Sequence, residues 1–99
     1  MLTDAQIFWL RDHLSVDFIK ESWIFGSSVS GADIVNDIDI YIKYLDGHSS
    51  KIVVLRGKLE VDFNTVFGES LHFLVLNESE SDEASDFLGK ALKPGVRIL

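Results

Sequence analysis

Asp37-Ile38-Asp39-Ile40-Tyr41-Ile42-Lys43-Tyr44 is the stretch that decides how this chain folds. Isoleucine at every second position predicts a β-strand with one apolar face. Ile38, Ile40 and Ile42 go to one side, and Asp37, Asp39 and Tyr41 to the other. Upstream, Ser22 to Phe25 predicts a short strand ended by Gly26-Ser27-Ser28, with a loop or single helical turn over 29–36. Nearer the start, Thr3 and Gln6 fit a capping box, and Ile7, Leu10 and Leu14 share one face. That pattern predicts a helix from Thr3 that fades near Ser15.

Downstream, Asp46-Gly47 marks a turn. Residues 51–55 and 58–64 are expected as a hairpin around Arg56-Gly57. In its second strand Leu59, Val61 and Phe63 face one way, and Glu60, Asp62 and Asn64 the other. A further strand is expected over 71–76. A helix follows from about Ser81 to Leu92, where Ala84, Phe87, Leu88, Ala91 and Leu92 form a buried stripe. Pro94-Gly95 stops it, and 96–99 supplies a last short strand. The expected architecture is a single α+β domain over 1–99, a small mixed β-sheet packed with helices.

Composition narrows the function. The 99 residues suit one domain, and 46% hydrophobic content predicts a packed core rather than disorder. No apolar run is long enough to span a membrane. Met1-Leu2-Thr3-Asp4 lacks the basic and apolar segments of a signal peptide, so a cytoplasmic protein is expected. With no cysteine, disulfides and thiolate metal sites are excluded. The net charge is −7, and the nine Lys and Arg are scattered among 16 carboxylates. Affinity for a nucleic-acid backbone needs clustered cations, so no long DNA or RNA ligand is expected.

The chemistry concentrates in the carboxylates. Asp37 and Asp39 leave the same face of their strand, and like charges side by side are unfavourable without a counter-ion. Mg²⁺ takes oxygen ligands of this kind. Asp62 is expected on another strand, opposite the apolar set. If the two strands are neighbours, three carboxylates converge as needed to hold two Mg²⁺ roughly 3.5–4 Å apart for in-line phosphoryl transfer. Glu60 has the same parity as Asp62 and is the fallback.

Phe25-Gly26-Ser27, then Asp37-Ile38-Asp39-Ile40, then Val61-Asp62-Phe63 resembles the nucleotidyltransferase superfamily of DNA polymerase beta, in particular the minimal nucleotidyltransferases of bacteria and archaea. The closing helix and Gly95-Val96-Arg97-Ile98-Leu99 are similar to the end of that domain. The resemblance implies a polymerase beta palm-like fold. It also implies transfer of a nucleoside monophosphate from a nucleoside triphosphate, ATP first, to a hydroxyl on a protein or small molecule. It assigns Gly26, Ser27 and Ser28 to the triphosphate. Asp37 and Asp39 are assigned to metal ligation, and Asp62 to a second metal and to deprotonation of the acceptor. The implied cofactor is two Mg²⁺, with Mn²⁺ as substitute. An alternative implied by the same resemblance is an antitoxin-like protein that binds a HEPN-type toxin, with weak or no catalysis.

Ser28 and Ser30 stand where many such proteins carry cations. Lys43, Arg56 and Lys58 are the residues available to compensate, and are otherwise surface charges. The missing cations are expected from another chain, a second copy or a basic helical partner. His13, His48 and His72 show no ligand spacing and are expected at the surface or boundary. Trp9 and Trp23 are expected in the core or an interface. Glu78, Glu80, Asp82, Glu83 and Asp86 suit a helix N-terminus.

Overall fold

The computed structural model describes residues 2–26 and 37–99. The elements follow in the order α1 (Asp4–Leu14), β1 (Ile19–Phe25), β2 (Asp37–Tyr44), α2 (Ser49–Phe67), β3 (Ser70–Asn77), α3 (Glu78–Glu83), α4 (Ser85–Ala91) and β4 (Val96–Arg97). They build a four-stranded mixed sheet in the order β3-β2-β1-β4. β1 runs antiparallel to β2 and to β4, while β2 and β3 are parallel. The α+β expectation holds.

The alternation of β2 divides the molecule into layers. Ile38, Ile40 and Ile42 are fully buried with Leu10 and Leu14 of α1 and with Ile52, Leu59 and Phe63 of α2. Tyr41 projects from the other face, where it packs with Trp23, Phe25, Leu74 and Leu76 of the sheet and with Leu88 and Leu92 around α4. The sheet is thus covered by α1 and α2 on one side and by α3 and α4 on the other.

α1 begins as its sequence requires. Thr3 Oγ1 accepts from the Gln6 amide at 3.2 Å, and Gln6 returns a carboxamide oxygen to the Thr3 amide at 2.9 Å. The C-terminus is fastened to the sheet. The Ser22 carbonyl accepts from the amides of Ile98 and Leu99, and Arg11 Nε donates to the Ile98 carbonyl at 2.9 Å.

The expected hairpin over 51–64 is replaced by the single helix α2. Two physical facts decide this. Parallel pairing of β2 with β3 needs a crossover connection, normally a helix. Ile52, Leu59 and Phe63 recur at helical spacing and are the residues that α2 buries. The β-branched Val53, Val54 and Val61 imitate a strand, but all three are well exposed. Gly68, at φ +71°, caps the helix by donating its amide to the Asn64 carbonyl at 2.8 Å.

The closing helix also differs. Asn77 and Glu80 form a capping box, so helix starts at Glu78, and it breaks at Ala84 into α3 and α4. Phe87, expected in the buried stripe, is 59% exposed. β1 begins at Ile19, earlier than expected, and β4 is shorter than 96–99.

Asp46 ties the β2–α2 turn to α3, accepting from Ser79 Oγ at 2.5 Å and from the Ser79 amide at 3.1 Å. The Ser79 hydroxyl, followed by the Ser79 amide, holds the Asp46 carboxyl below the usual carboxylate range. A carboxyl lowered on folding stabilises the native state above its unfolded pKa, and that contribution is lost as pH falls through the folded value. Asp46→Ala should therefore melt below the wild type at neutral pH. The gap should close as the medium is acidified through the carboxylate range, as followed by circular dichroism.

A pair of variants separates helix from hairpin. Phe63 is fully buried and Val61 is 64% exposed, whereas a hairpin would bury both. Phe63→Ala should cost about 3–5 kcal/mol in urea unfolding, and Val61→Ala less than about 0.5 kcal/mol.

Candidate functional site

Three strands bring their ends together on the α3–α4 face of the sheet. Phe25 pairs with Asp39 across β1 and β2, Asp39 pairs with His72 across β2 and β3, and Asp37 pairs with Ser70. Because residues in register lie on one face, Asp39 stands between Phe25 and His72. Its Oδ1 lies 3.5 Å from His72 Nδ1. Asp39 is 30% exposed and His72 74%, so the pair sits in a solvent-accessible position. Asp37 is half-buried at the start of the same strand.

Gly26 follows β1 directly and leaves it at φ +76°. A Cβ at this position would run into the Asp39 carboxylate. Glycine is required here twice over, for the left-handed backbone and for the close approach of the carboxylate. The expected nucleotide-binding residue Gly26 and the expected metal ligand Asp39 are therefore packed against each other. Ser27 and Ser28, the other two residues assigned to the triphosphate, lie outside the described residues.

Asp62 does not join this group on a neighbouring strand. It lies on α2, the helix that covers the Ile38, Ile40 and Ile42 face, whereas Asp37 and Asp39 leave the opposite face. Glu60, the fallback, is on the same helix. Among the described residues, no group of three His, Cys, Asp or Glu is placed to hold a metal ion. The cause is the hairpin expectation, which made Asp62 a strand residue by parity. The residue that β3 does bring to the site is His72. The alternation of Leu71, Phe73 and Val75 was the signal for it, since it sends His72 to the other face.

The three candidate cations separate in the same way. Lys43 shares the strand face of Asp39, two pairs further along. Arg56 instead lies 5.2 Å above the Phe73 ring, and Lys58 borders an apolar groove with Val16, Phe18 and Val54. Further along the same face, at Tyr41 and Lys43 and away from the Asp39 end, a cavity of about 370 Å³ opens between the sheet and α3–α4, lined by Glu21, Trp23, Tyr41, Lys43, Asp82 and Lys93. The buried Tyr41 hydroxyl meets Ser81 Oγ at 2.7 Å within it. Burial pushes the Tyr41 phenol above its ordinary pKa, against the opposing effect of the Ser81 hydrogen bond.

No family model matches the chain, and no curated protein matches it in sequence. Two solved structures share its fold. One is a chain of the toxin–antitoxin complex MntA–HpeT, in a mutant with two Asp-to-Glu replacements two positions apart. It matches with a TM-score of 0.61 at 20% identity over 99% of this chain and 73% of that one. The other is a toxin–antitoxin structure with AMP-PNP, with a TM-score of 0.60 at 17% identity over 98% and 73%. At such identities the likeness concerns the fold alone, and the chain shares the fold of these two chains.

Proposed function

We propose that the chain is an antitoxin-type nucleotide-binding protein. In this reading Asp37 and Asp39 hold a divalent cation, Mg²⁺ or Mn²⁺, and Gly26 with Ser27 and Ser28 receives the phosphates of a nucleoside triphosphate. A toxin is its protein partner. The observation that carries this reading is the packing of Gly26 against Asp39, a backbone without a side chain beside a carboxylate. The toxin–antitoxin context of both fold neighbours supports the partner, and the AMP-PNP of one supports an adenine nucleotide.

Nucleotidyl transfer through two metal ions is the second reading. The described residues do not fit it. Two carboxylates and the imidazole of His72 share the site face, and Mg²⁺ prefers an oxygen shell. Neither Asp62 nor Glu60 is on that face to bind a second ion or deprotonate an acceptor. Positive charge around a transferring phosphoryl group is also sparse, with Lys43 the one of the three candidates on this side. Binding without efficient turnover is therefore the expected behaviour of the chain alone.

The metal test is thermal. A ligand that binds only the native state stabilises it by about 1.4 kcal/mol at ten times its Kd, or roughly 5–10 °C for a chain of this size. Mg²⁺ should raise the melting temperature of the wild type but not of Asp39→Asn. An equal rise in both would put the ion elsewhere, such as the acidic segment from Glu78 to Asp86. The nucleotide test is calorimetric titration of Mg²⁺–ATP together with a labelled-ATP transfer assay. Gly26→Ala and Asp39→Asn should each weaken binding at least about tenfold, and the wild type alone should transfer little label. Rapid transfer by the isolated chain would overturn the binding-only reading.

A further inference from the structure

β3 stands at the edge of the sheet. It pairs with β2 along its whole length, from Ser70 to Asn77, and among the described residues no strand pairs with its outer side. Natural edge strands are short, charged, bulged or interrupted by proline, because an open row of N–H and C=O groups recruits another strand. The opposite edge obeys this rule, since β4 has two residues and one is Arg97. β3 does not. Ser70-Leu71-His72-Phe73-Leu74-Val75-Leu76-Asn77 contains no Lys, Arg, Asp, Glu or Pro. Phe73, Leu74, Val75 and Leu76 stay half-exposed although both faces of the sheet are covered elsewhere, so the apolar layers are open at this side.

We propose that the β3 edge pairs antiparallel with the β3 edge of a second copy, about a two-fold axis near the middle of the strand, to form a continuous eight-stranded sheet. The pattern of β3 is complementary to itself. A two-fold axis perpendicular to the sheet preserves its faces, so Leu71, Phe73 and Val75 of one copy meet the same residues of the other. On the other face, the same axis sets Leu74 opposite His72 and Leu76 opposite Ser70 of the second copy.

Charges on α2 favour a second copy over an unrelated strand. α2 lies over β3, with Arg56 above the Phe73 ring and with Ile52 and Val53 facing a crevice shared with Val75. It runs back along the strand, so its middle lies over the middle of β3. The same axis sets two α2 helices side by side and antiparallel, and brings Arg56 of each copy opposite Glu60 of the other. Both residues are exposed. Between them lies Gly57, where an added Cβ would meet nothing, so the helices can approach closely. This interface rests on no assumption about nucleotide binding.

The test is sedimentation equilibrium of the intact chain over a wide concentration range, with hydrogen exchange measured at both ends of it. The expected result is a monomer–dimer equilibrium in which amides over 70–77 exchange about tenfold more slowly at high concentration. Glu60→Arg should weaken dimerisation about fivefold, and Arg56→Glu combined with Glu60→Arg should restore it. Both positions are exposed, and circular dichroism confirms that the variants fold. A monomer throughout the range overturns the proposal. So does a dimer whose 70–77 amides are unchanged by concentration, or one indifferent to Glu60→Arg.

Discussion

The burial of Ile38, Ile40 and Ile42 beneath α1 and α2 is the constraint on which the rest of the structure depends. These side chains are fully enclosed, and a slip of one residue in β2 would exchange them for Asp37, Asp39 and Tyr41. No alternative register puts carboxylates in that apolar layer at an acceptable cost. The same alternation therefore fixes the two carboxylates on the opposite face, beside Gly26 at the end of β1. It also places Tyr41 beneath α3 and α4, where its hydroxyl finds Ser81 of α3. The core and the candidate site are the two sides of one strand.

That strand was fully legible in the sequence, as were the capping box of α1 and the Gly26 turn, because each depends on local chemistry. What was not legible depends on partners distant in the chain. The parity of Leu59, Val61 and Phe63 is compatible with a strand, while the spacing of Ile52, Leu59 and Phe63 is compatible with a helix. Parallel pairing of β3 with β2 settles the choice, and no local signal announces it. Once α2 is a helix on the isoleucine face, Asp62 and Glu60 leave the site and His72 enters it. Val61-Asp62-Phe63, expected as part of a strand, lies within α2. Nothing local marks His72, because a lone histidine with no ligand spacing is normally a surface residue. It is indeed 74% exposed, and only its register with Asp39 gives it meaning.

The resulting face is open and short of positive charge. Gly26, Asp37, Asp39 and His72 line one end of the sheet, and Lys43 lies further along. The remaining candidate cations are engaged on the other side, Arg56 with Phe73 and Lys58 at an apolar groove. In the proposed reading, a site with one carboxylate pair beside Gly26 and little enclosure is suited to holding a nucleotide more than to driving its transfer. It is also suited to completion by another chain.

The most direct test of the central claim is a backbone amide titration by nuclear magnetic resonance with Mg²⁺ and a non-hydrolysable ATP analogue. The account predicts shifts concentrated at Gly26, Asp37, Asp39 and His72, with Asp62 and its neighbours on α2 unmoved. Shifts concentrated on α2 around Asp62, with Gly26 and Asp39 silent, would contradict it.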